Sequence, residues 1–400
     1  MTIAVNSNAF LKAFKETLIG YSFNLAGLFA GFMVASQLGI FQLSPWAIAV
    51  YPAIVSAKGV IGGLLSGRLS TALHLGTFYP RFLMNTKSFY KLVEALIVIT
   101  LATSVGMSLV SLVFGSLFWG ITIADFLAIL SVVVATMTLG LILSFITMKV
   151  AFVSFTKGLD PDIVVYPIMS TVADIFITIC YIITLNLFFL FGYLGKYVII
   201  LIALAHLFLI IYIIPRNIHD EGFVKTIRES LVTMIFVSFI VNITGTVLKR
   251  ISVIVEGRKE IYTVYPALID AVGDVGSVVG STATTKLALG LLAPSFSSIR
   301  NHATNVLSAW AASIVIFVTL AVLSLTINGM FALYPFLDLL STLLIANIIA
   351  VAAIVTVSYA ISILTFKKGL DPDNFVIPIE SSFADSMTTI ALLAALILAG

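Results

Sequence analysis

The chain has 400 residues, of which 60% are hydrophobic and only 10% charged, and its net charge is +3. A soluble domain carries roughly 25% charged residues, and so apolar a chain cannot bury its surface in a water-soluble core, so it reads as a polytopic membrane protein. The small net charge argues against nucleic acid as a partner, and a single cysteine, Cys180, excludes disulfides and thiolate metal sites.

Residues 1–17 are mixed polar, with Lys12, Lys15 and Glu16 ahead of the first apolar run. They show no cleavable signal pattern and read as a cytosolic segment. A spanning helix needs about 20 mostly apolar residues. That rule places segments near 18–43, 45–76, 89–118, 121–153 and 163–193. It then places 197–214, 231–255, 264–292, 303–328, 333–365 and 374–399, eleven in all. The second segment is the clearest candidate for a break, because it carries Pro52, a glycine series and the polar run Arg68 to Thr71.

Two stretches are written twice. Lys157-Gly158-Leu159-Asp160-Pro161-Asp162, with Pro167 and Asp174, recurs as Lys368-Gly369-Leu370-Asp371-Pro372-Asp373, with Pro378 and Asp385, at an offset of 211 residues. Tyr51-Pro52-Ala53-Ile54, Gly59 and Gly62 recur as Tyr265-Pro266-Ala267-Leu268, Gly273 and Gly276, at an offset of 214. Two motif families in one order at nearly one offset imply an internal duplication. The organisation is then a five-helix repeat at 18–193, a linking helix and cytosolic connection at 194–230, and a second five-helix repeat at 231–400. Five crossings would invert the second half, and one extra crossing restores it, so the repeats are expected to be parallel. With the N-terminus in the cytoplasm, twelve Lys and Arg residues fall on that side and five outside, which satisfies the positive-inside rule. The expected location is the plasma membrane.

An acid inside a spanning helix is costly and by default marks an ion or substrate path. Asp174 and Asp385 lie about three turns into their helices, where no cap accounts for them. Asp270 and Asp274 are spaced i, i+4 and share a helix face; the first repeat has Ser56 and Val60 there, with Lys58 beside them. Lys58 is expected to neutralise part of an acidic cluster as a charge relay, unless it snorkels to an interface. The Asp-Pro-Asp turns suit helix capping, and Asp160, Asp162, Asp371, Asp373 and Glu380 are also candidates for a cation-attracting cytoplasmic vestibule. Carboxylates with nearby hydroxyls and carbonyls are hard donors that fit Mg²⁺, Ca²⁺ or Mn²⁺. The four histidines have no ligand spacing. No phosphate loop or hydrolase set is present, and Pro266-Ala267-Leu268 with Gly273-Asp274 only superficially resembles an intramembrane aspartyl protease, so no enzyme is expected.

These residues resemble a family. Tyr51-Pro52-Ala53, Lys58-Gly59, Arg68 to Thr71 and Leu73-His74-Leu75-Gly76 are similar to the second-helix motif of the MgtE magnesium channels and their eukaryotic solute-carrier relatives. Gly369 to Asn374 with Pro378 and Asp385 is similar to the fifth-helix motif, and Gly158 to Asp162 with Pro167, Thr171 and Asp174 to its sister copy. The resemblance implies a Mg²⁺-selective permease of paired five-helix units, with Asp174 and Asp385 in place of the pore acid that holds hydrated Mg²⁺. The bacterial homodimer would here be a pseudo-dimer in one chain, compatible with a monomer. The family's second-helix Gly-Asn reads Gly59-Val60 and Gly273-Asp274 in this chain. The family's cytosolic sensing domains have no room in seventeen leading residues, so their gating is not expected here.

The expectation is therefore an all-α membrane protein that moves Mg²⁺ or a similar divalent cation along an acid-lined path between its repeats. Asp174 and Asp385 would bind the ion or its water shell, and Asp270 and Asp274 would add field strength. No cofactor is expected beyond the transported ion, and the partners are that ion and the bilayer. A Na⁺- or H⁺-coupled exchanger is the second reading, and a non-transporting scaffold or sensor the third.

Overall fold

The computed structural model describes residues 7–157, 161–368 and 373–399. It is all-helical, with no strand among the described residues. The helices are α1 (Ser7–Tyr21), α2 (Gly27–Ser36), α3 (Leu38–Phe41), α4 (Pro45–His74), α5 (Lys87–Phe114), α6 (Phe126–Thr156) and α7 (Pro161–Phe189). They continue with α8 (Gly192–Asn217), α9 (Glu221–Val255), α10 (Lys259–Ala288), α11 (Ala303–Ile327), α12 (Leu333–Lys367) and α13 (Asp373–Ala399). Among the described residues, nine spans are long and apolar enough to cross a membrane. The two copies of the Tyr-Pro-Ala helix, α4 and α10, fall outside the nine, although each, at 30 residues, is long enough to cross. In α10, Asp270 and Asp274 lower the apolar character at mid-helix.

Three local readings differ from expectation. The first segment is not one helix: a 3-10 turn at Ser22–Ala26 separates α1 from α2. Ser22 Oγ donates back to the Ile19 carbonyl at 2.6 Å, and Asn24 sends its side chain to another helix. Short polar side chains compete with the helical ladder in this way. The second segment, expected to break, instead runs unbroken as α4 with Pro52 inside it; proline removes one ladder bond there without ending the helix. The polar stretch 215–230 is mostly helical, with only residues 218–220 between α8 and α9. Asp220 accepts the Phe223 N–H at 2.9 Å in the manner of an N-cap and pairs with Lys91.

The chain forms two compact units. Unit one comprises Met1–Ser36 and Arg250–Gly400, and unit two comprises Gln37–Lys249. Unit one thus takes its first helices, α1 and α2, from the N-terminal end of the chain, while α9 packs within unit two. Glycine explains both placements. A Cβ on Gly31 would lie 2.1 Å from the Thr263 carbonyl oxygen of α10, and one on Gly245 would lie 1.8 Å from the Ala49 carbonyl oxygen of α4. Gly31 and Gly245 are 214 residues apart, as are Ala49 and Thr263, so each unit repeats one close helix crossing built on a small residue.

The duplication also recurs as a hydrogen bond. Tyr51 Oη pairs with Thr178 Oγ1 at 2.9 Å and ties α4 to α7 in unit two. Tyr265 Oη pairs with Thr389 Oγ1 at 2.8 Å and ties α10 to α13 in unit one. Other hydroxyls are satisfied within their own helices, as Thr100, Ser104 and Ser108 are in α5 by bonds of 2.7 Å to the carbonyl four residues back. That matters where no water is at hand to satisfy them. Helix α8 is anchored in unit two through His206, whose ring nitrogens meet Thr138 Oγ1 at 2.7 Å and the Ile97 carbonyl at 2.9 Å.

Candidate functional site

Asp174 lies on α7 in unit two and Asp385 on α13 in unit one, and both are buried. Each stands in an apolar helix and engages neighbouring groups. Pro161 is the first residue of α7, the position at which proline's missing N–H costs nothing. Asp160 and Asp371 lie outside the described residues, as do the side chains of Asp162 and Asp373, so the vestibule expectation rests there on sequence alone.

Asp270 and Asp274 are half-buried on α10 in unit one. Asn24, in the 3-10 turn between α1 and α2, donates from Nδ2 to Asp274 Oδ2 at 2.8 Å. Glu380 joins them. It is only 3% exposed, so a surface position is ruled out. It interacts electrostatically with Asp274 and accepts a hydrogen bond from the Ser277 backbone. Its approach to α10 depends on Gly276, where a Cβ would meet Glu380 Oε1 at 2.6 Å and Ser358 Oγ of α12 at 2.8 Å. Tyr21, at the end of α1, interacts electrostatically with both Asp274 and Glu380.

Lys58 lies on α4 in unit two, 1% exposed, and donates to Ser144 Oγ of α6 at 3.2 Å, with Cys180 of α7 in its electrostatic neighbourhood. It is buried and does not snorkel. Of the four acids named from sequence, Asp174 shares its unit, and Asp270, Asp274 and Asp385 belong to the other. The two units therefore differ chemically. Where unit one has Val272, Asp274 and Glu380, the repeat offsets put Lys58, Val60 and Met169 in unit two.

Asn242 takes the Ser111 hydroxyl at 2.8 Å and donates to the Ser238 carbonyl at 2.7 Å, which makes it a packing residue. His302 is likewise tied to α10, near the Val279 carbonyl and Lys286. Among the described residues no three His, Cys, Asp or Glu side chains converge. Tyr21 and Ser358 were not legible as site residues, since neither stands out in an apolar run. Asn24 was visible only as one polar residue among several.

The family model for MgtE, described as a divalent cation transporter, matches residues 51–184 and 265–395. No curated protein matches the chain. Among solved structures, the crystal structure of the eukaryotic MATE transporter AtDTX14 aligns over 98% of this chain and 96% of that one, at 13% identity and a TM-score of 0.34. A likeness at that level carries no argument. The two family matches cover more than half of the chain, one in each repeat, and both contain the duplicated acid: the protein belongs to the MgtE family of divalent cation transporters.

Proposed function

We propose that the protein carries Mg²⁺ across the plasma membrane with its N-terminus in the cytoplasm, using Asp174, Asp270, Asp274 and Asp385 as cation-attracting groups. The observation that carries this reading is the burial of Asp174 and Asp385 deep in apolar helices, at equivalent positions of both family matches. A carboxylate there is retained against a large desolvation cost. The carboxylates themselves are hard oxygen donors, which favours a hard divalent ion over a soft one.

A second reading has its own support. Helices α10 and α13 of unit one carry Asp270, Asp274, Glu380 and Asp385 well inside their length, and their basic residues, Lys259 and Lys286, sit near the ends of α10. Such a set can exchange a divalent cation for protons or Na⁺. Mg²⁺ uptake by proteoliposomes, measured with and without opposing Na⁺ and pH gradients, separates the two. Uptake driven by the Mg²⁺ gradient alone indicates a permease, and uptake that needs a second ion gradient indicates an exchanger. Absence of flux for any divalent ion would leave a scaffold or sensor.

A further inference from the structure

Asp274 and Glu380 lie in stretches of α10 and α13 that hold no basic residue near them. Residues 17–36, 260–285, 303–327, 333–366 and 373–399 contain no Lys or Arg. The basic residues of these elements sit at their ends or on α1, where Lys12 and Lys15 are exposed. Lys286 is held by Asn305 Oδ1 at 2.7 Å, and Arg258 serves Glu260 and Asp338 at 2.6 Å each. Buried carboxylates without a counter-charge must hold either a cation or protons.

Three polar atoms point to where this occurs. Glu380 Oε2, the Tyr21 hydroxyl and Ser358 Oγ are all buried and make no hydrogen bond among the described residues. Their residues are 3%, 2% and 0% exposed. Leaving a buried polar atom unsatisfied is costly, so three around one carboxylate pair imply an absent partner. Ser358 Oγ and Glu380 Oε1 lie within 2.8 Å of one point beside Gly276, and Tyr21 interacts with both carboxylates. Asn24, which donates its amide nitrogen to Asp274, brings a side-chain oxygen beside the pair.

We infer that Asn24, Asp274 and Glu380 form an inner-sphere divalent-cation site within unit one, with Tyr21 and Ser358 completing its shell. Tyr21 from α1 interacts electrostatically with both carboxylates, Asp270 stands one turn earlier on α10 and Asp385 five residues later on α13. The 3-10 turn and α12 contribute neutral Asn24 and Ser358. The inference takes its ion from the transport reading above.

The test is equilibrium binding of Mn²⁺ to the full chain in nanodiscs, read from the free-ion EPR signal. The wild type should bind Mn²⁺ saturably. Glu380→Gln and Asp274→Asn should each weaken binding by about 100-fold, the upper end of what even outer-shell losses cost. Asn24→Ala should weaken binding as well. It removes no carboxylate, so it keeps the test open should an acid variant fail to fold. Glu380→Gln binding Mn²⁺ like the wild type would overturn the site, as would a wild type that binds no Mn²⁺. Wild-type flux with unaltered Glu380→Gln binding would sink this site and leave the transport reading standing. Intact binding with no flux would do the reverse.

Discussion

Gly31→Ala should loosen unit one more than any other single-methyl change on α2. The added Cβ would lie 2.1 Å from the Thr263 carbonyl oxygen and 2.6 Å from the carbonyl oxygen of Tyr262. Ordinary carbon–oxygen contact needs about 3.3 Å, so α2 must retreat from α10 by about 1 Å. The obstacle is backbone within a helix and cannot rotate away. Overpacking of this kind costs about 1–3 kcal/mol, against a gain of up to about 1 kcal/mol from replacing glycine by alanine in a helix. The net loss is about 1–2 kcal/mol, and it also draws Asn24 away from Asp274. Gly245→Ala, at 1.8 Å from the Ala49 carbonyl oxygen, should behave alike in unit two. Gly273→Ala is the control, since its nearest neighbour would be Ala384 Cβ at 3.6 Å; it should be neutral or slightly stabilising. Thermal denaturation in detergent, followed by size-exclusion fluorescence, reads all three. A Gly31→Ala protein as stable as the Gly273→Ala protein would refute the close crossing of α2 and α10.

Tyr51→Phe and Tyr265→Phe each remove one buried inter-helix hydrogen bond, and should cost similar amounts of about 0.6 kcal/mol each; very unequal melting shifts would contradict the repeated α4–α7 and α10–α13 ties. Lys58→Met should leave Mg²⁺ flux largely intact if the lysine only fills its place beside Ser144, and should abolish it if the ammonium balances charge during transport. The charge-relay reading predicts the second result in the proteoliposome assay. The Lys91 ammonium bonded to Asp220, with the Phe223 N–H, holds the Asp220 carboxyl below its ordinary range. Its contribution to closing the α8–α9 turn is therefore present above the ordinary carboxylate range and lost as pH falls through the lowered value. Hydrogen exchange at residues 218–223 should accelerate on acidification, and in Asp220→Asn should already be fast at neutral pH.

Much of this was legible because polar residues in long apolar runs are conspicuous. Asp174 and Asp385 announce themselves in that way, and the offsets of 211 and 214 residues expose the duplication without any structure. The grouping of helices was not legible. A repeat does not say which copy of its first helix packs on which copy of its second, and Gly31 and Gly245 would suit either arrangement. The break at Ser22–Ala26 was missed because the segment is apolar on both sides, and only its contact with Asp274 shows why the helix gives way there. Glu380 was ambiguous for a similar reason. Its place on α13 is readable, but its burial depends on Gly276 of another helix letting the carboxylate reach the α10 backbone.

The account stands or falls on whether the duplicated acid belongs to an ion path. The most direct measurement is divalent-cation flux into proteoliposomes holding the purified chain, with Mg²⁺ as the ion, wild type beside Asp385→Asn at matched incorporation. The account predicts flux in the wild type and its loss in the variant, with both proteins eluting as folded species. Equal flux in the two would show that the ion does not pass this carboxylate, and would contradict the central claim.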